Sequence, residues 1–585
     1  MAASSEGLGG ARAPSVARLL VVGLLVSAVC FLVAGFLMPR GALFVDNDEG
    51  YRLLQTRQFA AHGPLDRGVD YPGHRWDPSG RFQPITHIGT EPLAALAFAG
   101  PYRLFGWPGL FLAQALALGL TLLCTFRLAE LLGTRRPLVA ALAAVCGTPL
   151  LFYSLTLWDH SLTAALVMLA LVQALKGLKA GRGWAMAGAG AWAGLATWGG
   201  HDTAVVSAAL LLALATSLDG GLGRRIRVLA PYVACSAIVL SLGLLYDSRT
   251  GSVDLRTTQI RAVSNGLVAG KTVWGRRMGP AERVTYQGWV ASSLLLPRAP
   301  REEALRPRAA LPSVLFLFVL GYFGLRRRDW PLAGTLLAAL GVGFALRTLP
   351  WGGYSLITGL LAATPVLAYG LAGSAGGGGP KPDPVSRVAR RFAWLALAGI
   401  ALAAPSPSMV EWGSRYLTSL LPVLGVLTVR TLEEWWPRAQ LAGSRGRLFR
   451  VVAALSLAVT LVCQVASVWA LYSRKAYVRP ALRQVMAWKV DAVATNVDTQ
   501  PLTLAWSYDR VPFLLFRSPQ DLADLLALLR RQGVRRVGLE VASEADLRHV
   551  PGARRERGPE GWPYTFATVD LATPGPAVQR APFRR

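Results

Sequence analysis

The sequence predicts an all-α polytopic membrane protein of about 13 transmembrane helices, ending in a small extracytoplasmic α/β domain. Three observations carry that expectation. Hydrophobic residues make up 53 % of the 585 residues and charged residues only 16 %, with a mean hydropathy of +0.39, far from an ordinary soluble chain. Several apolar runs reach the roughly 18–20 residues that cross about 30 Å of hydrocarbon. Finally, Lys and Arg collect in alternate short loops between those runs, as the positive-inside rule requires. The formal net charge of +28 therefore points to anionic lipid head groups and not to nucleic acid.

In chain order, Arg12 and Arg18 precede a first apolar run from about Leu19 to Met38. It is longer than a signal peptide and lacks a small-residue cleavage site before Pro39-Arg40, so it reads as a retained span with residue 1 in the cytoplasm. Further spans are expected near 107–126, 137–155, 161–175, 184–199, 203–218, 228–246, 311–325, 330–348, 353–372, 392–410, 416–430 and 450–472. The basic groups Arg127/Arg135/Arg136, Lys176/Lys179/Arg182, Arg224/Arg225/Arg227, Arg326/Arg327/Arg328 and Arg438/Arg445/Arg447/Arg450 all then fall on the cytoplasmic side. The C-terminus is expected outside.

Residues 1–472 form the membrane domain, with large outer loops at about 39–106 and 248–310. Gly373–Pro384, rich in Gly and Pro, reads as a flexible cytoplasmic linker. From Ser473 to Arg585 the apolar runs stop. Leu502–Tyr508 and Arg536–Val541 look like strands, and Pro519–Arg531 repeats Leu at helical spacing, so 473–585 reads as a small extracytoplasmic α/β domain. The five cysteines (Cys30, Cys124, Cys146, Cys235, Cys463) all sit in apolar runs and read as packing residues.

The outer loops concentrate the polar chemistry. Behind the first span, Phe44-Val45-Asp46-Asn47-Asp48-Glu49-Gly50-Tyr51-Arg52 crowds three acids into four positions. Carboxylates at the edge of a bilayer are costly and mark a functional-site hypothesis. The plainer reading is a helix start capped by Asp48, with Arg52 four residues on as its ion-pair partner. The same loop adds Asp70, Tyr71, His74, Asp77, His87 and Glu91. The next outer loops carry Leu157-Trp158-Asp159-His160-Ser161, Gly199-Gly200-His201-Asp202 and Trp412-Gly413-Ser414-Arg415-Tyr416. Asp159 and Asp202 also suit helix caps, and Trp158, Trp198 and Trp412 suit interfacial anchors. Two other motifs fail on context. Gly266–Thr272 is one residue short of a phosphate loop and follows no strand. Gly188–Gly194 lies inside an apolar span, where Gly190 and Gly194 permit close helix packing.

Asp48-Glu49-Gly50-Tyr51-Arg52 after the first span resembles the first-loop motif of the glycosyltransferase-C superfamily. The likeness is to its bacterial branch, which contains the lipid A aminoarabinose transferases and protein O-mannosyltransferases. Asp159-His160 stands where that superfamily has its second acidic site. Gly413-Ser414-Arg415-Tyr416-Leu417, followed by Leu421-Pro422, resembles its late Gly-x-Arg-Tyr-Leu…Leu-Pro segment. This resemblance implies transfer of a sugar from a polyprenyl-phosphate donor to a lipid, glycan or protein acceptor outside the cytoplasmic membrane.

A sugar leaving as a lipid phosphate needs little protonation, so one carboxylate base can suffice, with fixed positive charge for the departing phosphate. Asp48 is the expected general base, with Asp46 and Glu49 as the next candidates. Tyr51, Arg52, Asp159, His160, His201, Arg415 and Tyr416 are expected to bind substrates, and Asp159 and His160 are alternatively ligands of a divalent ion. Arg256, Arg261, Lys271, Arg276 and Arg277 are further candidates for the phosphate. Two alternatives stay open: a transporter or flippase of lipid-linked saccharide, and an oligosaccharide ligase. A transporter is expected to place ionisable groups mid-span and to show repeated halves, and the sequence displays neither.

Overall fold

The structure, a computed structural model, describes residues 16–43, 47–65, 76–82, 92–249, 272–273, 276–277, 279–297, 318, 322, 329–348, 357–375, 383–404, 412–508, 510–548 and 550–572. Asp46, Asp70, Tyr71, His74, His87, Glu91, Arg256, Arg261, Lys271, the run 266–271 and nearly all of the expected span 311–325 lie outside them, as do the side chains of Asp48, His201, Arg276 and Arg277.

Helices α1 (Val16–Leu32), α2 (Asn47–His62), α3 (Pro92–Phe105), α4 (Gly109–Leu131), α5 (Pro137–Cys146), α6 (Leu150–Ser154), α7 (His160–Ala180), α8 (Gly183–Ala196), α9 (His201–Ser217) and α10 (Leu222–Arg249) make the first half. Their apolar residues pack inward on some faces and stand exposed on others, as on α1 (Leu20, Leu24) and α10 (Leu242, Leu245). That is the pattern of helices solvated by lipid, where close packing replaces hydrophobic drive. Gly190 meets α10 so closely that a Cβ there would lie 2.0 Å from the Tyr232 carbonyl oxygen. The small-residue reading of Gly188–Gly194 holds.

In the second half come α11 (Pro280–Leu295), α12 (Trp330–Thr348), α13 (Leu360–Ala363), α14 (Leu367–Ala375), α15 (Pro384–Ala403), α16 (Leu421–Leu441) and α17 (Gly443–Ala487). Among the described residues, 6 helices are long and apolar enough to cross a membrane alone: α1 with its extension to Leu37, α4, α7, α10, α12 and α17. The thirteen expected spans are not confirmed as such. The run 137–155 is broken into α5 and α6 at Gly147–Pro149, and 416–430 begins as a 3-10 turn, Arg415–Leu420, before α16. The 45 residues of α17, about 67 Å at 1.5 Å each, continue past residue 472 into the C-terminal sheet.

That sheet has strands β1 (Ala492–Thr495), β2 (Phe513–Leu515), β3 (Arg536–Val541), β4 (Arg554–Glu556) and β5 (Thr565–Asp570), in the order β2-β1-β3-β5-β4. The first three are parallel, and β5 runs antiparallel to both β3 and β4. Helix α19 (Pro519–Arg531) buries Leu522, Leu525 and Leu529, and Ser518 caps it by accepting the Asp521 N–H at 3.1 Å. Arg536–Val541 is a strand as expected. Leu502–Tyr508 is not: α18 (Gln500–Thr503) and a 3-10 turn at Ala505–Ser507 occupy it, with Pro501 pre-set for a first helical turn. The sheet instead takes β1 and β2, which are too short for alternation to show.

Candidate active site

Helix α2 carries the acidic motif, and its first turn faces the loop before α7. Glu49 and Arg52 are three apart and so share a side of the helix. The Leu157 N–H donates to Glu49 Oε1 at 2.8 Å. The same oxygen lies 3.6 Å from Lys475 Nζ of α17, and neither side chain is exposed at all. The ammonium also stands 5.4 Å from the centre of the Phe111 ring. Arg52 Nη2 donates to Asp159 Oδ1 at 3.3 Å, again almost without exposure. Asp159 occupies the N-cap position of α7, yet its side chain makes no capping bond. The cap reading therefore fails for Asp159, whose carboxylate is turned across the chain to α2.

The loop before α9 joins at Gly199, where a Cβ would lie 3.2 Å from Asp159 Oδ2 and 2.2 Å from Thr163. Only glycine fits there, and His201 follows at the start of α9. The late loop closes the group. Gly413 takes φ +66°, its N–H donates to the Ile357 carbonyl at 2.7 Å, and its own carbonyl accepts from Gly359 at 3.1 Å. That turn delivers Arg415, whose guanidinium sits 5.2 Å from the Tyr416 ring centre and 6.0 Å from that of Trp158. Arg415 Nη2 also donates to the Tyr416 hydroxyl at 3.4 Å. His160 meets Tyr153 and Trp158 edge-on at 5.0 and 5.7 Å. The Tyr153 hydroxyl donates to the Trp412 carbonyl at 3.1 Å. Trp158 and Trp412 are 1 % and 2 % exposed, so they are walls of this cluster and not interfacial anchors.

The structure thus brings together Glu49, Arg52, Asp159, His160, Arg415 and Tyr416 from three separate loops. Tyr51 is half-buried and turns toward Tyr508 of the C-terminal domain, whose phenol is pushed well above its usual pKa by burial and secondarily by Tyr51. Asp48 and His201 are placed by backbone only. Among the described residues no three His, Cys, Asp or Glu side chains gather to hold a metal ion.

Two partners were not expected. Lys475 stands in the buried stripe Cys463, Ser467, Leu471, Lys475, Val478, Leu482 of α17, and a cation at an apolar helical spacing is a readable sign of a buried acid opposite. The second is the segment 500–506. A Cβ on Gly50 would lie 2.3 Å from the Leu502 carbonyl oxygen. Arg57 donates to the carbonyls of Ala505 and Trp506 at 3.3 and 3.4 Å and stacks over the Trp506 ring at 4.6 Å. The C-terminal domain therefore roofs α2 directly.

No protein-family profile matches the sequence, and no curated protein does. Among solved structures, ArnT of Cupriavidus metallidurans bound to undecaprenyl phosphate superposes with a TM-score of 0.51 at 16 % identity, over 95 % of this chain and 98 % of that one. The chain shares the fold of that structure. The archaeal oligosaccharyltransferase AglB of Archaeoglobus fulgidus, in complex with an inhibitory peptide and a dolichol-phosphate, gives a TM-score of 0.48 at 14 % identity, over 95 % and 74 % of the two chains. In this fold the acidic helix α2, the Asp159 loop and the Arg415 turn come from sequence positions far apart and meet at one place.

Proposed function

We propose that the chain is an integral membrane glycosyltransferase that moves a sugar from a polyprenyl-phosphate donor to an acceptor at the outer face of the cytoplasmic membrane. The observation that carries this reading is the buried Arg52–Asp159 pair, which draws the first-loop acids against the second outer loop inside a protein wall. The fold shared with an ArnT that holds undecaprenyl phosphate supports the donor class. Glu49 is already engaged by Lys475 and the Leu157 amide, so it acts as a bolt that fixes the start of α2. Of the two other acids of the motif, Asp48, one residue earlier, is the general base ahead of Asp46.

Asp48 accepts the proton of the acceptor hydroxyl while that oxygen bonds to the anomeric carbon. The anomeric C–O bond breaks and its electron pair leaves with the polyprenyl phosphate, whose charge Arg415 stabilises. Asp159, His160, His201, Tyr51 and Tyr416 orient the two substrates around that line. Residues 473–585 form the outer domain, and the N-terminus is cytoplasmic.

The test is Asp48→Asn in purified protein supplied with polyprenyl-phosphate sugars. The variant inserts and unfolds at the wild-type temperature, and transfer falls by roughly 10²–10⁴-fold, the usual worth of a positioned base. Wild-type rates in that variant remove Asp48 from the chemistry. Deleting the gene is expected to accumulate one polyprenyl-linked sugar and to erase one surface modification, which names donor and acceptor together.

A further inference from the structure

A cavity of about 520 Å³ opens between α5, α14, α16 and α17, and the basic loop before α5 contributes to its lining. Its walls are apolar: Val139, Ala143, Leu367, Val429 and Leu457. Past the C-terminus of α5 the lining includes Gly147 and Thr148, and the Thr148 hydroxyl is spent on the Ala144 carbonyl at 2.7 Å. That part of the lining thus offers nothing to a sugar or a nucleotide.

Its mouth is different. Arg135 and Arg136 are exposed there. Both oxygens of the neighbouring Glu433 are occupied by the backbone N–H groups of Arg135 and Arg136, at 2.8 and 3.0 Å. Among the described residues neither guanidinium has a hydrogen bond or ion pair, and with Glu433 the three side chains leave a net charge of +1. Trp436 stands at the rim, 38 % exposed, as an aromatic ring at head-group depth would. The 10 residues of α5 measure about 15 Å, half of a hydrocarbon core roughly 30 Å thick. The groove is one leaflet deep.

We infer that this groove binds an anionic phospholipid of the leaflet bordering the basic loops, with one acyl chain along α5 and the phosphodiester between the Arg135 and Arg136 guanidinia. Arginine suits that role because its planar fork meets phosphate oxygens two at a time. Anionic head groups are also the lipids drawn to such a surface.

The test uses full-length protein in phosphatidylcholine nanodiscs carrying a trace of phosphatidylglycerol with a photoactivatable acyl chain. Adducts are mapped by mass spectrometry, and a phosphatidylcholine probe with the same chain serves as the control. The phosphatidylglycerol adducts are expected on α5 and on residues 425–457, at least tenfold above the phosphatidylcholine control. They fall to the control level in Arg135→Gln/Arg136→Gln. Val139→Trp, at a half-exposed wall position, is expected to remove the deepest adducts near Leu457 while the unfolding temperature holds. Equal labelling by the two probes, or phosphatidylglycerol labelling unchanged in the double variant, overturns the proposal and leaves only ordinary lipid contact.

Discussion

Helix α2 is held from two sides by different physics. Toward the membrane bundle its contacts are charges without water: Glu49 on Lys475 and Arg52 on Asp159. Toward the C-terminal domain they are matters of shape. Gly50 lies against the Leu502 backbone, and Arg57 reaches two carbonyls and an indole face. The charged seam fixes orientation, because a desolvated ion pair tolerates few geometries, and it is fragile because either partner alone is a buried charge. The shape seam is set by the close approach at Gly50 and is most sensitive to added volume there. Each makes a different prediction.

The largest effect is expected at the charged seam. Lys475→Met removes the ammonium that faces the fully buried Glu49 carboxylate, a loss of about 3–5 kcal/mol. The measurement is the unfolding temperature in detergent, and the double variant Lys475→Met/Glu49→Gln is expected to recover most of the loss. If the single and double variants unfold alike, the pair is not what fixes α2.

A second buried acid sharpens the contrast, since it lies in the domain and has no ion pair among the described residues. Glu540 of β3 is fully buried and accepts only the Trp562 indole N–H at 3.0 Å among the described residues. Burial raises its pKa from 4.5 to about 7, partly offset by that hydrogen bond. The folded state thus holds a proton that the unfolded chain has already lost. Stability is full below about 4.5 and declines as pH rises from there to about 7, by about 3 kcal/mol in total. Wild-type protein is expected to unfold at a lower temperature at pH 8 than at pH 5, and Glu540→Gln to narrow that difference.

Much of this was legible in the chain. The apolar runs, the basic loops and the Leu spacing of Pro519–Arg531 are local patterns, and local patterns survive without a structure. So did the three outer-loop motifs, because each keeps its residue types within five positions. What was hidden depended on partners far along the chain. Asp159 reads as a helix cap until Arg52, 107 residues away, is seen to claim it. Trp158 and Trp412 read as interface anchors until the loops fold over them. The stretch Leu502–Tyr508 looked like a strand because Leu502, Leu504, Ala505, Trp506 and Tyr508 make it mostly apolar, and it folds instead into short helical turns packed against α2.

The shape seam breaks next. Gly50→Ala places a methyl group 2.3 Å from a carbonyl oxygen, and helix α2 must withdraw from Leu502. Overpacking of this kind costs about 1–3 kcal/mol. Hydrogen exchange is expected to rise in α18 and the first turns of α2 together. Exchange confined to α2 detaches the C-terminal domain from the site.

The smallest effect belongs to a contact that looks strongest on inspection. Arg81 reaches Asp521 and Asp524 of α19 at 3.0 and 2.9 Å, so one guanidinium ties the segment before α3 to the C-terminal domain through two carboxylates. All three side chains stand substantially in water, however, and exposed pairs are screened by salt and oppose their own side-chain entropy. The real tie lies beside it, where the Leu515 N–H of edge strand β2 donates to the Phe82 carbonyl at 2.7 Å and covers an otherwise open sheet edge. Asp77 holds that turn from beneath by accepting the Phe82 N–H at 2.7 Å. Arg81→Ala is therefore expected to leave the unfolding temperature unchanged in ordinary salt, whereas Asp77→Ala lowers it. A measurable loss in Arg81→Ala alone would mean that the domain is steered onto α2 by charge, and the division between the two seams would have to be redrawn.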